Sequence, residues 1–262
     1  MDISARISPP ADTAEEHHLI VMDAKSRAPW MSGMTSRSAE DVSAALDSIL
    51  QLLRPHLRSS GRSMAISELR GDDEKSFSSE AVKRVCAKHS IKHNVQGAGC
   101  HRDSLAPLDN LMRTIQARTT AMLLHSGRPQ SKWLKCLRYA AHLQRNLPSS
   151  DGGPSPMEII SGHSSVPAST KFRVWGSKVF ELKRGPGFER SRKFDSRVHV
   201  GYFIGYHPEK LGYLIETDGH AHPVCRHDVF FIEDLNSLPA GSSSAISSSP
   251  LWHSSPPADV LH

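Results

Sequence analysis

Apolar positions along the chain follow two regimes. In the first, "HHLIVMDA" (17 to 24) is an apolar run of strand length, and "RAPWMSGMTS" (27 to 36) follows closely enough to return antiparallel to it. Ser38 then opens a helix, with Asp41 as capping partner and Val42, Ala45, Leu46, Ile49 and Leu53 recurring at helical spacing. "RSMAISEL" predicts a strand, "SSEAVKRVCAKHS" a helix and "IKHNV" a short strand. Two longer helices follow, "PLDNLMRTIQARTTAMLLHSG", with Pro107 suited to a first turn, and "RPQSKWLKCLRYAAHLQRNLP". Strands followed by strand and helix in alternation predict a layered α/β unit.

The second regime begins after "PSSDGGPSP" (148 to 156), the strongest internal linker signal. "FRVWGSKVFEL", "VHVGYFIGYH", "GYLIET" and "HPVCRHDVFFIED" are short, aromatic and β-branched, and turn residues separate them, which predicts a small β-barrel. The resulting division is a flexible arm (1 to 16), an α/β core (17 to 147), a linker (148 to 169), a barrel (170 to 235) and a Ser/Pro tail (236 to 262). Trp175, Tyr202, Phe203, Tyr206 and Tyr213 are expected mainly as packing residues of the barrel, with one or two available for stacking on bases.

Charge adds a partner. The net charge is +5 over 262 residues, and it is concentrated. Between positions 171 and 197 stand Lys171, Arg173, Lys178, Lys183, Arg184, Arg190, Arg192, Lys193 and Arg197 against Glu181, Glu189 and Asp195. That surplus exceeds the whole chain's and is suited to a polyanion. Composition removes several other classes. Cys86, Cys100, Cys136 and Cys225 form no Cys-x-x-Cys pair, and His89, His93, Cys100 and His101 fit no standard zinc spacing. No phosphate-binding Gly-x-x-x-x-Gly-Lys loop, no Gly-x-Ser-x-Gly elbow, no membrane-length apolar run and no signal-peptide core is present. The expectation is a protein of nucleus or cytoplasm, neither secreted nor membrane-bound.

Three acids then form a pattern. Asp23 ends the first strand, Asp72 ends "AISELRGD", and Asp109 lies in the first turn of a helix. Singly, each suits a surface or capping role, and an acid at a helix N-terminus is favoured by the macrodipole alone. Together, in the order strand, strand, helix, they describe carboxylates able to hold two divalent ions on a ribonuclease-H-like sheet.

At these residues the sequence resembles the integrases of copia-type LTR retrotransposons. "VMDAKSR" is similar to the family's first catalytic strand, "ELRGDDEKSF" to its second block, and "RTIQARTTAMLLHSGRPQSKWLKCLRYAAHLQRNLP" to the helix pair after its catalytic Glu. "PSPMEIISGH", "FRVWGSKVF", "RKFDSRVHVGYFIGYHPEKLGYLI" and "CRHDVFFIED" resemble in order the blocks of the SH3-like barrel that follows. The resemblance spans about residues 17 to 235. It implies a ribonuclease-H-like integrase core followed by an SH3-like β-barrel. It implies polynucleotidyl transfer with Mg2+ or Mn2+ held by Asp23, Asp72 and Asp109. The implied partners are DNA, as element ends and target duplex, and further copies of the chain. Lys171, Arg173, Lys183, Arg184, Arg190, Arg192, Lys193 and Arg197 would hold the DNA backbone.

Departures from the family pattern bear on activity. Asp109 stands where the family has Glu, which withdraws the carboxylate by one methylene, roughly 1.5 Å, and a misplacement of about 1 Å can cost ~100-fold in rate. Asp73-Glu74-Lys75-Ser76 replaces the family's Asn-Gly-x-Glu segment. A fragment or decayed copy fits these features. Three functions stay open: an integrase, a remnant that only binds nucleic acid or a partner, and a metal-dependent nuclease on the same fold.

Overall fold

The computed structural model describes residues 1–58, 66–71, 74–95, 106–148, 152–162, 172–182, 198–207, 210–217 and 222–233. The fold is mixed α/β. β1 (Asp2–Ile3), β2 (His17–Met22) and β3 (Pro29–Met34) form one antiparallel sheet, with Ile20 opposite both Asp2 and Met31. α1 (Ala39–Arg58) follows, and the Ser38 hydroxyl accepts from Asp41 N at 3.1 Å. Its Val42, Ala45, Leu46, Ile49 and Leu53 are all buried, as their spacing predicts.

β4 (Glu68–Gly71) and β5 (Lys92–Val95) run parallel, joined by α2 (Glu80–Lys88), which Ser79 caps through Val82 N. α3 (Ala106–Ser126) and α4 (Trp133–Asn146) make an antiparallel pair. α4 also packs closely on β3, where a side chain on Gly33 would strike Leu134. Arg145 ties the far end of α4 to β3 by donating to Pro29 O at 2.7 Å.

Residues 1–16 depart from the expected flexible arm. Met1 and Ile3 are each 5% exposed, within the core formed with Leu19, Trp30, Leu46, Leu69 and Phe77. Ser4 N donates to His18 O and Ile7 N to Glu16 O, so the segment lies along β2 instead of leaving it. The linker stretch likewise contains α5 (Pro156–Ser161), begun by a capping box between Ser155 and Glu158. Met157 and Ile160 are buried in the same core.

The later strands, β6 (Lys178–Leu182), β7 (Val198–Tyr206), β8 (Tyr213–Thr217), β9 (Val224–Arg226) and β10 (Val229–Ile232), form an antiparallel sheet in the order β10-β6-β7-β8-β9. Among the described residues β9 and β10 remain its two edges, so the expected barrel is an open sheet here. Strand periodicity carries no information on closure, which is a long-range pairing. One face of the sheet packs on α4: Cys136 and Tyr139 join Trp175, Val179, Phe203 and Ile215. The other side of α4 contributes Trp133, Leu134, Leu137, Ala140 and Ala141 to a second cluster with Ile20 and Ile115. A single helix therefore carries two cores.

An ion network reinforces that junction. Glu216 of β8 accepts from Arg128 at 2.6 Å and from Lys132 and Lys135 at 2.7 Å each. Asp12 accepts from Lys132 at 2.9 Å and also from Lys135. Burial alone would raise Glu216 and Asp12, but the lysine bonds outweigh it and hold both carboxyls below their ordinary values.

Candidate active site

Asp23 occupies the β2–β3 turn. Its Oδ2 accepts from both Ser26 N and Ser26 Oγ at 2.7 Å, and its main chain closes the turn through Asp23 N to Ala28 O and Arg27 N to Asp23 O. Arg27 takes a positive φ of 64° inside this turn. A carboxylate bonding its own backbone a few residues on is a local turn device, and it accounts for an acid at the end of an apolar strand.

Register separates Asp23 from the centre of the fold. β1 stands opposite Ile20 and Leu19, so Asp23 lies three residues past Ile20 at the hairpin tip, about 10 Å along the strand at ~3.3 Å per residue. Asp109 is in the first turn of α3 and is exposed. Asp72 lies outside the described residues. Among the described residues, no three His, Cys, Asp or Glu side chains are grouped to hold a metal ion.

Asp2 is the acid that sequence reading missed. Met1 N donates to Arg70 O at 2.6 Å, which brings the residue before β1 up to β4, while β1-β2-β3 and β4-β5 remain separate sheets. A Cβ on Gly71 would meet Met1 Cε at 3.2 Å and Cγ at 3.4 Å, so Met1 and Gly71 share a face. That face is the buried one, since Phe77 Cδ2 would lie 3.0 Å from the same Cβ. Side chains alternate along a strand, and Asp2 therefore projects from the opposite, half-exposed side, where its Oδ1 accepts from Ile3 N at 2.8 Å. Asp72 follows Gly71 directly in sequence. The available signal was "MDI", an acid between two apolar residues at strand spacing.

Of the basic residues, Arg173 donates to Glu233 Oε2 at 3.1 Å and lies 4.5 Å from the Phe231 ring centroid. Lys171, Lys183, Arg184, Arg190, Arg192, Lys193 and Arg197 lie outside the described residues. Among the aromatics, Trp175 and Phe203 are buried, and Tyr206 and Tyr213 pack against them. Tyr202 is covered by the Arg128 guanidinium, 3.9 Å from its centroid.

No known family model matches the sequence, and no curated protein matches it. Among solved structures, the chain is similar to the catalytic core domain of BIV integrase, at 16% identity and a TM-score of 0.45, covering 61% of this chain and 90% of that one. It is also similar to a chain of the simian T-cell lymphotropic virus intasome in complex with PP2A regulatory subunit B56 gamma. There the identity is 14% and the TM-score 0.48, over 88% of this chain and 76% of the other. Likeness at these values concerns the chain trace and transfers no residue role.

Proposed function

We propose that the chain is an integrase-like protein that binds DNA and acts on its phosphodiesters with divalent metal held at the β1–β4 junction. The observation that carries this reading is the seating of Met1 against Gly71, which brings Asp2 alongside the strand that leads into Asp72. Asp2 of β1 and Asp72, the residue that follows β4 in sequence, would supply the hard oxygen ligands that Mg2+ or Mn2+ prefers. Bound metal would activate a hydroxyl and stabilise charge on the phosphodiester. The protein's part is to fix Asp2 through its pairing with Ile20. Asp23 keeps its turn role instead of a ligand role.

A second reading, binding of DNA without turnover, is favoured by Asp109, which is exposed and one methylene shorter than a Glu.

Purified protein with labelled terminal-repeat DNA in Mg2+ or Mn2+ tests both. Under the catalytic reading, Asp2→Asn and Asp72→Asn lose strand transfer and cleavage, Asp23→Asn keeps them, and Asp109→Glu raises them. Activity that survives Asp2→Asn but not Asp23→Asn would overturn the assignment. A parent that binds DNA yet shows no metal-dependent product supports the second reading.

A further inference from the structure

Arg128, Lys132 and Lys135 gather around the start of α4, and no acid stands in that helix's first turn. A helix N-terminus is the positive end of the macrodipole and disfavours cations. Lys132 is the N-cap and supplies no side-chain hydrogen bond to the turn. Three cations placed there need anions from elsewhere in the chain. The fold brings two of them, Glu216 from β8 and Asp12 from the N-terminal segment, where Asp12 N donates to Ser131 O at 2.8 Å.

Three cations against two carboxylates leave one positive charge unmatched. Donors are also left over. A lysine ammonium has three N–H groups and an arginine guanidinium five. Lys132 and Lys135 each use two, on Glu216 Oε1 and Asp12 Oδ2, and Arg128 uses one on Glu216 Oε2. The Tyr202 ring lies over the Arg128 guanidinium at 3.9 Å, which leaves the in-plane N–H groups clear of it. All three side chains keep a part at the surface, 17% of Arg128 and Lys132 and 15% of Lys135. Along the same N-terminal segment Glu15 faces Arg138 and Glu16 is bonded by Arg6, so neither acid matches the surplus. A phosphodiester carries one negative charge and two free oxygens, each able to accept more than one bond, and Arg and Lys bonds to such oxygens are among the strong ones. It therefore fits the charge and the donors together, whereas a phosphate dianion exceeds the surplus.

We infer that Arg128, Lys132 and Lys135 bind a backbone phosphate of nucleic acid, with Glu216 and Asp12 holding the three cations together. The inference rests on the nucleic-acid reading above and adds a contact on residues outside the β1–β4 junction.

Fluorescence anisotropy of the full chain with a labelled mixed-sequence duplex, repeated across salt concentrations, tests it. Each phosphate contact contributes ~0.9 to the slope of log affinity on log salt, which at 0.15 M amounts to about fivefold in affinity. Lys132→Gln with Lys135→Gln should weaken binding by about that factor and make the slope shallower by about one unit. Glu216→Gln removes a carboxylate and keeps the cations, so it should tighten binding without making the slope shallower. Both variants break the ion network, and a purely structural role would move duplex binding the same way in both; that result overturns the inference. Lys132→Arg with Lys135→Arg keeps the charges and should keep the parent's slope. A slope as shallow as the Gln pair's in that variant overturns the inference, as do parental affinity and slope in the Gln pair. Inorganic phosphate at matched ionic strength should act alike on the melting temperatures of the parent and the Gln pair. A rise in the parent alone, with equal duplex slopes, overturns the inference in favour of a site for free phosphate. A parent that binds no duplex sinks the nucleic-acid reading as a whole.

Discussion

Phe203→Ala tests whether the later sheet and the α/β layer form one folding unit. The ring is fully buried and makes edge-on contacts with Tyr139 of α4 at 5.5 Å, Tyr206 at 5.3 Å, Phe231 at 5.6 Å and Tyr213 at 6.0 Å. An aromatic side chain of this kind buries ~150–250 Å2, which at ~25 cal/mol per Å2 is about 4–6 kcal/mol. Measured Phe-to-Ala losses in cores run ~3–5 kcal/mol. A value near 4 kcal/mol lowers the folded-to-unfolded ratio about a thousandfold, a large part of the ~5–15 kcal/mol of a typical domain. Phe203→Leu, which keeps most of the volume, should cost under about 1.5 kcal/mol.

Guanidinium unfolding, followed by far-ultraviolet circular dichroism for the helices and by tryptophan fluorescence, is the assay. Trp175 sits in the Phe203 cluster, while Trp133 of α4 sits in the other. Because α4 belongs to both clusters, the two signals should move together to a lower midpoint with an unchanged slope. Two transitions, with the helical signal staying at the parent's midpoint, would refute the shared-helix reasoning. So would a loss below about 1 kcal/mol, since it would place Phe203 outside a packed core.

Three further outcomes follow from the same structure. Asp23→Ala removes two 2.7 Å bonds to a turn and should cost ~1–3 kcal/mol in chemical denaturation, as hydrogen bonds to a charged acceptor do; an unaltered midpoint would deny it the turn role. His18 is fully buried, and burial, followed by the neighbouring His17, draws its pKa down to about 4. The neutral ring is the one the fold favours, so its contribution is complete above about pH 6.5 and is lost as pH falls toward about 4, by at most about 3 kcal/mol; His18→Phe should flatten that part of the stability–pH curve, and equal slopes would contradict it. Cys225 is partly exposed while Cys86 and Cys136 are buried, and burial pushes both buried thiols' pKa values up; a maleimide should label Cys225 in the native protein and reach the other two only after unfolding, as peptide mass mapping would show.

Local patterns carried much of the architecture. Periodicity located β2, β3 and all four longer helices, because their apolar stripes are buried where their spacing implies. β1 was illegible to composition: its two residues pair with Ile20 and Leu19, 18 and 16 positions away, Met1 before them bonds Arg70, 69 positions away, and the surrounding Ser, Pro and Asp read as a solvated arm. α5 had a readable signal in Ser155 and Glu158, the two ends of a capping box, masked by the Gly and Pro before it. Asp23 carried a second reading of its own, since an Asp with a Ser three residues on is a turn signature. The role proposed for Asp2 depends on the approach of Met1 to β4, which no local pattern encodes. Sheet closure was unreadable for the same reason.

The two-sided burial of α4 has a consequence for the order in which the protein is made. Its last residue, Asn146, precedes the end of β10 at Ile232 by 86 residues, about 4–17 s of synthesis at ~5–20 residues per second. During that interval the nascent chain can cover Leu134 and Leu137 with β3 and α3, while Cys136 and Tyr139 face solvent. The edge of β6 waits in turn for β10, over the 50 residues from Leu182 to Ile232. A growing chain stalled between α4 and β10 would therefore expose one apolar helix face and one unpaired strand edge together, the two features that recruit chaperones or seed aggregation.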